Sequence, residues 1–452
     1  MIATLTAFAT PTAASSGFTI SPAAGDATDA CLAGDPYNLA ALREVISRTA
    51  PPSTPVVINQ HLTVEFVRAG KMSDDDEIVG LGGAEPGTRD PDEQPANEAR
   101  LDSAALRIFN TRTQFEFRVK MSDTMLKDIY ACHERTGLTE AGGPGDFGAI
   151  EGMFLNYLPI TIRAAGGSST ASLLGAPDFQ PAGWSNGVDT RVLLTPTTKW
   201  PFRTITQSSS WPNGEQSRCT MTLIGPRHLI TAAHCLVDFR TSNWKQRRLT
   251  PARDGVNVAP YGFSQMTPNP PPGSEAWYIV PDPWLDPSTP DTKQNKVQWD
   301  IGLVLMLDKL GNQTGWMGYG AFTASDVKER SHYNRGYPSC KEDYPEKPAN
   351  CQVARLYGDT NLCEIGDYYY QAPNGWYRAH SVSCDLSRGH SGSPIYHYRF
   401  SPTHGKDTPR VSAVVSWQNC QTCSAGDNYP NLVRRITPAV LGWISWLRET
   451  YP

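Results

Sequence analysis

Thr231-Ala232-Ala233-His234-Cys235 and Gly389-His390-Ser391-Gly392-Ser393-Pro394 are the stretches on which the reading of this 452-residue chain turns. Between them lies Asp300-Ile301-Gly302-Leu303. In chain order they supply a histidine, a carboxylate and a serine. A serine hydroxyl is a weak nucleophile until a neutral imidazole takes its proton. A carboxylate on the other ring nitrogen holds that imidazole in one tautomer. Each residue alone has an ordinary reading. His234 suits a hydrogen-bonded core position, and Asp300 suits the cap of a turn before the apolar run Ile301-Gly302-Leu303-Val304-Leu305. Residues 389–394 suit a turn, since Gly, Ser and Pro are turn formers. Together, in this order, they point to acyl transfer through a serine nucleophile.

These motifs resemble the trypsin/chymotrypsin superfamily of serine proteases over about residues 185–452. The spacing of Cys219 and Cys235 is that of the disulfide stapling the histidine loop in that family, and Val414-Val415-Ser416-Trp417 resembles its substrate-pairing strand. Finer features are similar to the glutamyl-endopeptidase-like branch: Gly336-Tyr337-Pro338, Gly315-Trp316-Met317-Gly318 and Gly392-Ser393-Pro394. So are Asp189-Thr190-Arg191 followed by Thr197-Thr198 and Trp200-Pro201-Phe202, and Arg435-Ile436-Thr437 leading into Trp443-Ile444.

The resemblance implies a mainly β fold, a chymotrypsin-like double β-barrel with a C-terminal helix. It implies Ser391 as nucleophile, His234 as general base and then acid, and Asp300 as the orienting carboxylate. The backbone N–H groups of Gly389 and Ser391 would form the oxyanion hole, and Cys219–Cys235 a disulfide. Ser416, Trp417 and Gln418 would lie beside a protein or peptide substrate, with no cofactor. The chain departs from the family in places. His390 stands where trypsin-type zymogens carry an aspartate for the new N-terminal amine, and it reads instead as a helper fixing the oxyanion loop through a ring hydrogen bond. Asp385 has the spacing from Ser391 of the pocket-floor aspartate of trypsin-like enzymes, yet Cys384 sits beside it. The plain alternative is a loop carboxylate near Arg388. The histidine that glutamate-selecting enzymes use has no counterpart in residues 414–418, and Gln418 replaces the usual glycine.

Composition bounds the rest. The net charge of −5 and the lack of a Lys/Arg cluster argue against a nucleic-acid partner. No apolar run reaches the roughly 18 residues of a membrane span. The histidines are scattered without a ligand spacing, so no metal is expected. Of the ten cysteines, Cys219, Cys235, Cys340, Cys351, Cys363, Cys384, Cys420 and Cys423 lie in the C-terminal part. An even set in loop-like surroundings suggests disulfides and an oxidising compartment, hence a secreted, extracellular or periplasmic protein. Cys384 is expected to pair with Cys420 or Cys423. A monomer is expected.

Residues 1–34 read as a possible signal or linker, although Met1 to Ala14 lacks a basic leader. Residues 35–185 read as a small α+β region and a pro-region of a proenzyme. A helix is expected from Asp35-Pro36, strands at 56–58 and 62–66, a half-buried strand at Phe115, Phe117 and Val119, and a helix over 122–136. Residues 71–100 carry nine acidic and three basic residues and read as a solvated loop. Residues 186–452 form the protease-like domain, in which short apolar runs alternate with turns, closed by a helix from Thr437-Pro438. The competing reading of the chain is a catalytically silent, protease-like binding or adhesion module.

Overall fold

The structure is a computed structural model. It describes residues 35–452 except 74–103, 137–138, 144–188, 212–213, 269, 271–273, 290–295, 343–346, 361, 372–376 and 418–430. The fold is mainly β, as expected. Among the described residues one sheet runs in the order Val56–Asn59, Leu62–Ala69, Phe115–Met121, Ala104–Asn110, Ala276–Pro281, Gly302–Met306, His228–Thr231, Ser217–Leu223, Ile205–Ser209, Arg247–Pro251 and Ser264–Met266. This path is open at both ends.

The second sheet is built from the C-terminal part. Ser331–Gly336 pairs with Pro394–Ser401, which pairs with Lys406–Trp417. That strand pairs with Asn431–Arg435, then Tyr377–Val382, then Cys363–Gln371, and the last returns to Ser331–Gly336. Arg191–Leu193 joins through Tyr357–Asp359.

The described N-terminal strands extend the first sheet. Ala104–Asn110 pairs antiparallel with Ala276–Pro281, Leu106 opposite Pro281 and Asn110 opposite Trp277. The strand Ala276–Pro281 is buried at every residue and needs a covering partner on each side. Helix Asp123–Thr136 packs on the C-terminal helix Pro438–Thr450, where a Cβ on Gly442 would meet Leu126 Cβ at 3.0 Å. Leu42, Val45, Phe117 and Val119 share one apolar cluster with Trp443, Ile444 and Leu447. The N-terminal strands are too few to enclose both of their own faces, and they find cover by joining this sheet.

The expected helix near Asp35 begins later, at Leu39, after Asn38 at φ 54. Asp35 still caps it, its carboxylate oxygens accepting Leu39 N at 2.8 Å and Ala40 N at 3.1 Å. The C-terminal helix starts as expected, with Pro438 in the first turn after Thr437. Most of the acidic stretch 71–100 lies outside the described residues.

Ionic contacts reinforce the junction. Glu116 is fully buried on Phe115–Met121. Its carboxylate accepts Arg107 Nη1 at 2.6 Å, Arg68 Nε at 2.9 Å and Trp244 Nε1 at 3.2 Å. Arg107 also pairs with Asp282, and Arg118 Nε reaches the same carboxylate at 2.9 Å. A buried carboxylate survives only when its lone pairs are taken, and removing one partner strands the other. Glu116→Ala leaves Arg107 buried without this partner and is expected to cost about 3–5 kcal/mol of stability, read as a lowered midpoint in denaturant unfolding.

Two buried histidines set a second expectation. His332 and His397 face each other across paired strands, ring centroids 5.2 Å apart. Burial first, and then neighbouring cations, push His332 down to about 4 and His397 to about 3. In the unfolded chain both titrate near the ordinary value of about 6.5. The unfolded state therefore takes up protons first. Stability is undiminished above about pH 6.5 and falls as pH drops toward 4 and then 3. Thermal midpoints between pH 7 and 4 are expected to fall less steeply in His397→Phe than in the wild-type chain; equal slopes refute the assignment.

Candidate active site

One strand pair delivers two of the three key side chains. His228–Thr231 lies antiparallel to Gly302–Met306, with Thr231 opposite Gly302. The chain leaves the first strand through Ala232 into a single turn, Ala233–Cys235, which presents His234. The chain enters the second strand from a turn in which Asp300 N–H bonds Val297 O at 3.2 Å. His234 and Asp300 therefore stand at the same end of one ladder. The Cys219–Cys235 disulfide ties the histidine turn to strand Ser217–Leu223.

Asp300 is buried and saturated. One oxygen accepts His234 N–H at 2.9 Å. The other faces His234 Nδ1 at 2.7 Å and accepts Ser416 Oγ–H at 2.6 Å. A carboxylate at Nδ1 holds the proton there and leaves Nε2 with its lone pair. His234 Nε2 is buried and has no hydrogen-bond partner among the described residues. A basic nitrogen kept out of water with nothing to bind is poised to take a proton from an incoming group.

Ser391 sits where the two sheets meet. Its carbonyl accepts Thr220 N–H at 2.8 Å from the first sheet and lies 3.6 Å from Cys235 Sγ. The next residue, Gly392, donates its N–H to Val415 O at 2.7 Å in the second sheet. Gly392 has φ 79, and a Cβ there would lie 2.0 Å from Thr231 Oγ1, so only glycine fits. Gly389 has φ 95, and a Cβ there would meet Tyr337 O at 2.4 Å. Thr220 Oγ1 holds Gly389 O at 2.8 Å, and Ser339 N holds Arg388 O at 2.7 Å. With these carbonyls anchored, the N–H groups of Gly389 and Ser391 donate to no described residue. Ser391 Oγ makes no hydrogen bond to His234 Nε2, and such catalytic contacts often tighten only in the complex with substrate.

His390 is buried beside Ser387. Its Nδ1 lies 3.2 Å from Ser387 Oγ, the ring hydrogen bond expected of it. Burial, and then the nearby Arg191, hold it well below the usual imidazole range, so it is neutral.

Ser416 spends its hydroxyl on Asp300. Trp417 ends the strand Lys406–Trp417, and Gln418 lies outside the described residues. Asp385 is buried, and its Oδ2 accepts the N–H of Thr190 at 2.8 Å and lies 2.8 Å from Thr190 Oγ1, which also meets Asp359 Oδ1 at 2.5 Å. Cys384 bonds to Cys363, which corrects the expected pairing with Cys420 or Cys423. The strand that bears Cys363 pairs with the one running up to Val382, which brings the two Cα atoms to 4.8 Å, within disulfide reach. Cys340 pairs with Cys351, and Cys420 and Cys423 lie outside the described residues. Cys219, His234 and Cys235 cluster at ligand distance, but both sulfurs are consumed by their own bond and offer no thiolate to a metal.

Two contacts were not read from the sequence. The bond from Ser416 to Asp300 and the reach of Arg191 to Ser387 join residues far apart in the chain, and no local pattern marks them.

No protein-family profile matches the chain. Among curated proteins it is 29% identical over 219 residues to a glutamyl endopeptidase of Bacillus licheniformis, covering 48% of this chain and 56% of that protein. It is 25% identical over 263 residues to a protein named extracellular metalloprotease from Bacillus subtilis, covering 58% of this chain and 68% of that protein. The chain thus spans little more than half the length of the Bacillus licheniformis relative. Among solved structures, a Glu endopeptidase in complex with MPD aligns at 16% identity and TM-score 0.41, over 58% of this chain and 98% of that one. In its motifs and in the Bacillus licheniformis relative, the chain is similar to the chymotrypsin-like serine proteases of the glutamyl-endopeptidase branch.

Proposed function

We propose that the chain is a serine endopeptidase working through an acyl-enzyme. The observation that carries this reading is the imidazole of His234, gripped by Asp300 at Nδ1 and open at a buried Nε2, on the same side of the molecule as the Ser391 turn. In the first step Ser391 Oγ bonds to the scissile carbonyl carbon and its proton passes to His234 Nε2. Charge grows on the carbonyl oxygen, and the N–H groups of Gly389 and Ser391 receive it. The C–N bond then breaks, and the proton on Nε2 goes to the leaving amine. Water repeats the sequence: His234 takes its proton, its oxygen bonds to the acyl carbon, the bond from that carbon to Ser391 Oγ breaks, and the proton returns to Oγ as the carboxylic acid product leaves. Asp300 keeps the imidazole oriented and stabilises its charged form in both halves.

The engagement of Asp385 with Thr190 supports a bracing role over that of a pocket floor awaiting an Arg or Lys side chain. The disulfides, together with the extracellular relative's name, support secretion. The pairing of Ala104–Asn110 with Ala276–Pro281 supports an N-terminal part that acts as a folding partner and stays docked after any processing near residue 185.

A fluorophosphonate probe is expected to label the wild-type chain at Ser391 and to leave Ser391→Ala unlabelled. Asp300→Asn is expected to lower kcat by about 10⁴-fold. A folded wild-type chain that takes no label, with His234 and Asp300 intact, returns the protein to the silent binding-module reading.

A second expectation concerns the docked N-terminal part. After a protease cut between Gly143 and Asp189, the two fragments are expected to co-elute in native size exclusion and to separate only in denaturant. Fragments that part under native conditions refute docking.

A further inference from the structure

The turn that presents Ser391 has a fixed cation behind it. Arg191 opens the strand Arg191–Leu193, and its side chain is wholly buried. Asp189 takes it in a fork, Nε to Oδ1 at 2.8 Å and Nη2 to Oδ2 at 3.0 Å. The remaining terminal nitrogen, Nη1, donates to Ser387 Oγ at 2.5 Å. Ser387 Oγ lies 3.2 Å from His390 Nδ1, and Ser387 O accepts His390 N–H at 3.0 Å. Ser387 and His390 thus bracket Arg388 and Gly389, and His390 is the neighbour of Ser391. The imidazole is wedged against Gly336, where a Cβ would meet His390 Cδ2 at 2.7 Å. One residue before Arg191, Thr190 donates its N–H to Asp385 Oδ2 at 2.8 Å. The tripeptide 189–191 therefore grips the 385–390 loop at two points.

The loop needs such a grip. Gly389 carries no side chain and sits at positive φ, so its peptide has little intrinsic preference for the shape seen. An N–H that turns away from the oxyanion site is a lost donor, and one lost donor lowers kcat by about 10²–10³-fold. We propose that Arg191 is a positioning residue: through Ser387 and His390 it holds the 387–391 turn in the shape that aims the Gly389 and Ser391 N–H groups at one point. The inference rests on the serine-endopeptidase reading. It assigns to a residue inside the chain a task that would otherwise await a new chain end, so the turn is set before any cleavage near residue 185.

The test uses the uncut, full chain and fluorophosphonate inactivation, separating the limiting rate kinact from the binding constant KI. Ser387→Ala removes the link but leaves the Arg191–Asp189 pair. The double variant Asp189→Asn/Arg191→Gln removes both charges together, and Arg191→Lys keeps a charge without the fork. Ser387→Ala and the double variant are expected to lower kinact by 10-fold or more at unchanged KI, with Arg191→Lys between them and the wild type. A merely structural role would lower the thermal midpoint and the fraction labelled while the folded fraction kept its kinact. Should the double variant not fold, Ser387→Ala decides. A wild type that labels, with a folded Ser387→Ala at the wild-type kinact, overturns the inference alone. A wild type that does not label overturns the endopeptidase reading and this inference with it.

Discussion

The ladder between His228–Thr231 and Gly302–Met306 is the constraint on which the site depends. Its register places Gly302 opposite Thr231, so the turns just beyond bring His234 and Asp300 to hydrogen-bond distance. A slip of one residue would turn every side chain of a strand to the other face. The apolar set Leu229, Ile230, Leu303, Val304 and Leu305 is buried in this register, which makes the slip costly. Hydrophobic burial, a term without direction, thus fixes a polar contact that needs fractions of an ångström.

Three charged groups in the interior are held by donors or opposite charges. Asp300 has His234 and Ser416, Glu116 has Arg68, Arg107 and Trp244, and Arg191 has Asp189 and Ser387. Such groups add little net stability over well-packed apolar ones, but each is expensive to break in half. They act here as joints. Glu116 couples the N-terminal strands to Trp244, Asp282 ties Arg107 to the end of strand Ala276–Pro281, Asp300 couples the first sheet to Ser416 of the second, and Arg191 couples the outer strand to the nucleophile turn.

Short-range chemistry was legible from the chain, and long-range chemistry was not. His234, Asp300 and Ser391 stood out because each lies in a compact motif of small residues and turns. Terminal signals marked the helices Asp123–Thr136, before Gly137, and Pro438–Thr450, after Thr437, and alternation marked Phe115–Met121. Glu116 falls at a position where alternation predicts solvent, and only the arrival of Arg107 and Trp244 from other segments explains its burial. The pairing of Cys363 with Cys384 depends on neighbouring strands, which spacing alone does not disclose. The merging of the N-terminal strands with the first sheet was hidden for the same reason: a strand's own residues say that it needs a neighbour, not which one.

The strand Ala276-Trp277-Tyr278-Ile279-Val280-Pro281 carries no charge and is buried along its whole length between two partners. Its outer partner comes from residues 104–110, on the far side of the boundary that sequence similarity draws near residue 185. A chain trimmed at that boundary would display a row of open backbone donors and acceptors along an apolar ribbon, the feature that recruits further copies edge to edge. With residues 104–110 in place, those donors and acceptors are paired within the chain instead.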